Sequence, residues 1–595
     1  MNRWKLLLIF FACLAVRLHA LTAFSDEELR FAPTASRLAE IERTAAVAGW
    51  RGLAEPLRVA AFRAYEKESL AAEDWFFVSR WAEIFATTDS DFMAGWIKAI
   101  KAAQVGHANM PTRYAVHNRP LADGITPALQ AWLLSHTDFS AQFFSILSSC
   151  DFLPKTFSIL GELQARYPDK FPTYANLALA IAVVYDVPPP PNWPHAQVDA
   201  RVLKRQLPAS ADAFAFWIKA DQSGQTLQRL TQLSAGELKF VVDAAAPFSE
   251  LEWAQKNITL PLASFNRVYD LVRYRVDRVQ QDQYLWPAEH YDLASILNEG
   301  GICVDQAYFS CEVGKAKGVP TLLFSGAGRD AWHAWFGYLD QSRHWQLDAG
   351  RYADQQFVTG LAIDPQTWGP ISDHELKFLS EGFRLLPSWR QACLNAEFAA
   401  AYLSLHKPDA AARAARMAVN YEPRHLGAWQ ILLMAQSQLG LPPLEIEKTL
   451  REGRLAFQNY PDIEAVFVQR LAASLRARGE TSAADFEENQ FSHKVGGARA
   501  DLNLNRAVNV LRTSLARDPP AAQLRTYYSL LSTFGRGAGM EFFSRIVRPF
   551  VEYQYQAGHR QEAFQAAQQA QRTLRIEPNS QLEQDMRQLL QEINH

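Results

Sequence analysis

The stretch GGICVDQAYFSCEVGKAKGVPTLLFSG, residues 300–326, holds two of the chain's five cysteines, and their positions give them opposite characters. Val304, Ala307, Tyr308 and Cys311 fall on one face at helical spacing. Cys311 is therefore expected as a small apolar group inside a core. Cys303 lies off that stripe, in the first turn after Gly300-Gly301. A helix N-terminus presents unpaired N–H groups and positive dipole, which favour a thiolate. The same N–H groups can hold a developing oxyanion. A thiol attacks an amide only with a base to take its proton and a group to orient that base. Thirty residues on, DAWHAWF places His333 at the start of a strand, and fifteen further HWQLDAGRY places Asp348 at the end of the next. Two neighbouring antiparallel strands would bring His333 beside Asp348, with a packed helix presenting Cys303. The roles that follow are nucleophile for Cys303, general base and acid for His333, and imidazole orientation for Asp348.

Other reactive residue types nearby read differently. His344 falls on a hairpin turn and is expected in solvent. Arg329 and Asp330 precede the His333 strand and read as an exposed loop. His290 and Tyr291 are left without a role, and Asp348 before Ala-Gly-Arg also suits a turn. ISDHEL at 371–376 lacks the second histidine of a zinc-protease motif. Its Ser372 and Glu375 read as a capping box.

Cysteine after a Gly pair at a helix start, Gly318-Val319-Pro320, then His333-Ala334-Trp335, then Trp345 to Asp348 ending a strand: this order resembles the transglutaminase-like superfamily over roughly residues 265–355. The resemblance implies a papain-like α+β core with a Cys303-His333-Asp348 triad, and no metal or organic cofactor. Members include protein cross-linkers, peptidases, amidases and inactive copies. The aromatic oxyanion residue of the cross-linkers has no assigned counterpart. Trp286 is available but is not selected. No calcium loop like those of the animal cross-linkers is read.

The elements around these residues divide the chain. Its 595 residues exceed one hydrophobic core. Residues 1–24 read as a secretory signal: Arg3 and Lys5, an apolar run from Leu6 to Val16, then Ala20 and Ala23. Phe10 fits poorly three positions before Cys13, so a lipid anchor is not expected. Residues 25–186 read as a helical domain, with Thr126-Pro127 as a helix start. Phe157, Leu160 and Leu163 mark an amphipathic helix stopping at Tyr167-Pro168. YDVPPPPNWPH holds four consecutive prolines, so 187–195 reads as a stiff linker. Residues 196–390 form the expected α+β catalytic domain, with helices over Phe265–Val279 and Tyr291–Asn298 before the strands. Residues 391–595 resemble tetratricopeptide repeats. Phe398, Tyr402, Ala411, Ala415, Ala418 and Pro423 are followed by Trp429, Leu432, Ala456 and Pro461. Tyr555, Gly558, Ala563, Ala570 and Pro578 suggest a last unit, and the period lapses over 465–550.

A net charge of −3 and the lack of any Lys/Arg block give no nucleic-acid footprint. Removing the signal leaves Cys150, Cys303, Cys311 and Cys393, too few for a disulfide scaffold. Cys303 and Cys311 on one helix lie about 12 Å apart, beyond disulfide reach. The expectation is a secreted or periplasmic thiol enzyme without a membrane anchor. It would transfer the acyl group of a peptide or protein amide to water or an amine, and bind a protein partner through its helical repeats. The alternative is an inactive scaffold whose repeats do the work.

Overall fold

The computed structural model describes residues 22–103, 116–203, 206–352, 359–535 and 539–594. The expected signal cleavage region therefore lies almost wholly outside the described residues. Helices dominate, and the strands gather into one five-stranded antiparallel sheet. This is an α+β arrangement flanked by helical arrays. No helix among the described residues is long and apolar enough to cross a membrane.

The chain divides into two compact units. The first takes residues 1–191, 205–245 and 365–369, and the second 192–204, 246–364 and 370–595. This partition differs from the domains expected by sequence. Residues 205–245 join the N-terminal helices, and the C-terminal helices share a unit with the sheet. The Pro-rich segment is not a free spacer either, since Val187, Trp193 and His195 are all buried.

In the first unit large aromatics at helical spacing supply the core: Trp75, Trp81, Phe85, Phe143 and Trp217 are fully buried. The Trp81 indole N–H donates to Ser140 Oγ at 2.8 Å, which removes the cost of burying it. Thr126 caps Pro127–Ser135 by accepting the Leu129 N–H, as its sequence suggests. Leu153–Arg166 buries Phe157, Leu160 and Leu163 and ends at Tyr167.

The second unit carries the sheet. Its strands are β1 (Thr321–Ala327), β2 (Trp332–Leu339), β3 (Trp345–Ala349), β4 (Leu361–Ile363) and β5 (Pro370–Ser372), in the order β3-β2-β1-β4-β5. Helix α1 (Cys303–Ala316) packs on β1 and β2. Every residue of α1 after Cys303 is buried, including Glu312 and Lys315. The apolar stripe through Cys311 thus marks only part of its contact surface. Gly314 lets α1 approach β1, because a Cβ there would meet Thr321 Cγ2 at 2.3 Å.

The continuous helix read over Phe265–Val279 is broken. A 3₁₀ segment, Leu262–Leu271, and a short helix, Val276–Gln280, flank an extended stretch. There Tyr274 bridges Gly301, the Arg275 N–H donates to Gly301 O at 2.9 Å, and the Gly301 N–H donates to Arg273 O at 3.0 Å. These partners satisfy the backbone better than a helix could, so tertiary pairing overrides the local periodicity.

From Pro387 onward the chain runs as successive helices, five of them with Pro387, Pro408, Pro443, Pro461 or Pro520 in the first turn. Pro suits that position because its missing N–H has no helical partner there. Ala411, Ala414, Ala415 and Ala418 are buried, as are Ala563, Ala566, Ala567 and Ala570. The identical spacing makes two small-residue faces on which neighbouring helices pack closely.

Candidate active site

Cys303 is the first residue of α1, half-buried, and a free thiol like Cys150, Cys311 and Cys393. The Ala334 N–H, of the residue after His333, is near enough to the thiol to favour its ionised form. The Tyr269 hydroxyl donates to Ala334 O at 2.8 Å and reaches Cys303 O at 3.4 Å, tying the helix start to the strand. The start of α1 and the strand position after His333 are thus joined through one hydroxyl. Burial pushes the Cys303 thiol above its ordinary value, and the Ala334 N–H only partly opposes this. The helix terminus thus does not by itself produce a resting thiolate.

His333 is buried on β2, and its Nε2 lies 2.8 Å from Gly350 O. A carbonyl oxygen can only accept, so Nε2 carries a proton and Nδ1 is the basic nitrogen. Tyr352 stacks on the imidazole with ring centroids 4.0 Å apart, a contact that favours the charged ring as well as the neutral one.

Asp348 does not join the pair. Its side chain is 67% exposed, and Oδ1 pairs with Arg351 at 2.8 Å. It faces an open cleft of about 620 Å³ lined also by Asp270, Asp340 and Gln346, to which neither Cys303 nor His333 contributes. The reason is register. Phe336 pairs with Ala349 and Tyr338 with Gln346, across a bulge. Asp348 therefore sits opposite the 337 region, about 13 Å along β2 from His333. The alternative reading of a turn describes it: the Arg351 N–H donates to Asp348 O at 3.1 Å, and Gly350 takes φ +85°. Asp348→Asn is expected to change the rate of Cys303 alkylation by less than about twofold, as surface changes do. Site-resolved mass spectrometry after iodoacetamide treatment measures it.

Gly350 instead takes the orienting role, through its backbone. A Cβ at 350 would meet the Tyr269 ring at 2.6 Å, in a backbone conformation that side chains rarely adopt. Gly350→Ala should displace the carbonyl that holds His333 and slow Cys303 alkylation about 10- to 100-fold, the scale of a misplacement near 1 Å. A wild-type rate in that variant would remove Gly350 from the site.

Behind Cys303 lies a buried polar network that sequence reading missed. Asp305, in the first turn of α1, accepts the Ile302 N–H at 2.9 Å and pairs with Arg278 at 2.7 Å, both side chains being 1% exposed. The Tyr291 hydroxyl donates to Asp305 Oδ1 at 3.1 Å and lies 2.9 Å from His195 Nε2. Arg278 also donates to the carbonyls of Gln283, Tyr284 and Leu285. Burial drives the Asp305 carboxyl upward against the pull of the Ile302 N–H and Arg278. The network pins Gly301 and Ile302, and so the entry of the chain into α1. The only hint in the sequence is an acidic residue two positions after Cys303.

Of the residues left open, Trp286 is spoken for: its indole N–H donates to His290 O at 2.8 Å and its ring packs on Tyr291. Tyr274 bridges Gly301, and burial raises its phenol above the ordinary value, with the nearby Cys303 adding to the rise. It remains a protonated hydroxyl donor. Arg329 and Asp330 are not a bare loop, for the C-terminal helices hold both. Among the described residues no group of three or more His, Cys, Asp or Glu side chains is arranged to hold a metal.

No family model matches this chain, and no curated protein is significantly similar to it.

Proposed function

We propose that this chain is an exported thiol enzyme of the transglutaminase-like type, acting on the amide of a peptide or protein. One observation carries the reading: the Tyr269 hydroxyl bonds both Cys303 O and Ala334 O, which sets the thiol residue beside the strand position next to a histidine whose Nε2–H is committed to a carbonyl. In that tautomer Nδ1 carries the basic lone pair, to which the thiol proton would pass.

The steps follow from these groups. As Cys303 attacks the amide carbon, its proton moves to His333 and a C–S bond forms. The oxyanion is met by N–H groups at the start of α1 and by the Tyr274 phenol, which burial keeps protonated. Collapse breaks the C–N bond, and the proton on His333 goes to the leaving amine. Water or a second amine then releases the thioester. The Gly350 carbonyl dipole and the Tyr352 face stabilise the imidazolium in place of a carboxylate. The basic, then apolar, N-terminal residues support export, and the helical repeats would bind a protein substrate or partner.

The raised Cys303 thiol and the turned-away Asp348 favour a second reading, an inactive scaffold with a papain-like core. A thiol-directed electrophilic probe separates the two. Labelling of Cys303 near neutral pH, lost in His333→Gln, is the expected result for the enzyme. Equal labelling in both proteins would leave the scaffold.

A further inference from the structure

The β1–β2 turn, residues 327–332, ends one residue before His333, and helices more than 200 positions later in the chain hold it. The turn closes on itself through the Gly328 N–H, which donates to Ala331 O at 2.7 Å. The Met540 N–H, from helix α2 (Gly539–Phe542), donates to Arg329 O at 3.1 Å. The Leu582 N–H, from helix α3 (Gln581–Glu592), donates to Asp330 O at 3.0 Å. The Trp332 N–H donates to Gln581 Oε1 at 3.1 Å, and Arg329 pairs with Glu577 at 3.2 Å. Ala327, at the end of β1, is buried in the same apolar cluster as Tyr527, Met540 and Phe542. The fit is close: at Gly539, with φ +40°, a Cβ would lie 2.0 Å from Arg329 O.

Arg329, Asp330 and Trp332, the last being the first residue of β2, thus have main-chain groups bonded from outside the core. A hairpin turn needs no such support to close. What the clasp fixes is the position of the strand start that carries His333, relative to α1. We propose that residues 539–594 are a positioning element of the active site, in which Gly539, Met540, Gln581 and Leu582 hold the 328–332 turn and so set His333 against Cys303. This rests on the thiol–imidazole reading above. The C-terminal helices are then not a detachable binding module, and removing them would disable the thiol as well as any partner surface.

The test is site-resolved alkylation of Cys303 by iodoacetamide across pH in the full-length chain. The proteins compared are wild type, His333→Gln, Gly539→Ala, Gln581→Ala and Gln581→Glu. His333→Gln is expected to lose the component of the rate that rises near neutral pH. Gly539→Ala should lose most of it. Gln581→Ala should lower it about fivefold, the worth of one hydrogen bond. Gln581→Glu, which keeps an acceptor for the Trp332 N–H, should restore it to within about twofold. A merely structural role would lower melting without changing the pH profile. If Gly539→Ala does not fold, the Gln581 pair decides alone. A changed profile in His333→Gln beside a wild-type profile in Gln581→Ala overturns the clasp and spares the thiol–imidazole pair. An unchanged profile in His333→Gln overturns that pair and the clasp with it.

Discussion

Cys303→Ala is expected to abolish turnover of an amide substrate, a fall of at least about 10³-fold, while thermal unfolding stays within about 1 kcal/mol of wild type. The small stability cost follows from the position. Cys303 is half-buried at a helix start, so trimming its small side chain disturbs little packing. Cys311→Ala gives the opposite pattern. Cys311 is 3% exposed inside α1, so trimming its sulfur costs about 1 kcal/mol and leaves the chemistry in place. Cys311→Asp buries an unpaired carboxylate and costs far more. Turnover and melting of the variants, side by side, check the assignment. Loss of turnover in Cys311→Ala with retention in Cys303→Ala would mean the wrong sulfur. Because burial raises the Cys303 thiol, its direct ionisation falls above the ordinary thiol range, and reactivity near pH 7 must come through His333. The rate in His333→Gln should therefore rise only at alkaline pH.

Arg278→Met has the second large effect, and it reads on stability. It leaves the Asp305 carboxylate uncompensated at 1% exposure, which costs about 3–5 kcal/mol. Asp305→Leu alone strands the guanidinium at a similar cost. The double variant Arg278→Met/Asp305→Leu should recover much of the loss, a coupling that a double-mutant cycle measures directly. The pH dependence has a definite sign. Burial already holds the folded-state Asp305 carboxyl above its ordinary value, and removing Arg278 raises it further. A carboxyl raised on folding contributes stability below its unfolded value and loses it as pH rises. The deficit of Arg278→Met should therefore shrink as pH falls from above the ordinary carboxyl range down into it. A deficit independent of pH would mean that Asp305 is not the charge left behind. Recovered stability in the double variant need not bring back the thiol, since Asp305 also fixes the Ile302 N–H at the entry to α1.

Which parts of the site could be read from the chain depends on how locally each is specified. Cys303 was legible because a Gly pair followed by helical periodicity defines a helix start within a dozen residues. His333 was legible as a strand residue because DAWHAWF is rich in large, β-prone residues, and it stands second on β2. Cys311 followed from spacing along a single helix. The helix Pro127–Ser135, with its cap, and the alanine faces of the C-terminal helices are local in the same sense.

The partner of His333 is not local. Placing Asp348 beside it required the β2–β3 register, and a bulge between Phe336 and Tyr338 together with the Asp348–Arg351 turn sends that carboxylate elsewhere. The group that does orient the imidazole is the Gly350 carbonyl, which has no side-chain signature; only the glycine that permits its position is visible. Tyr269, Tyr274 and the Arg278–Asp305–Tyr291 network come together because the stretch read as one helix breaks to pair with Gly301. The contacts from Met540 and Leu582 onto the turn before His333 span about 210 to 250 residues, and the first two of these bonds use only main-chain atoms. The sequence by itself determined the helical or extended character of the elements that carry Cys303 and His333, because side-chain type and short-range periodicity encode that. Tertiary structure alone decided what holds the His333 ring, what anchors the start of α1 and what fixes the strand between them, because backbone groups and long-range register carry no mark in the chain.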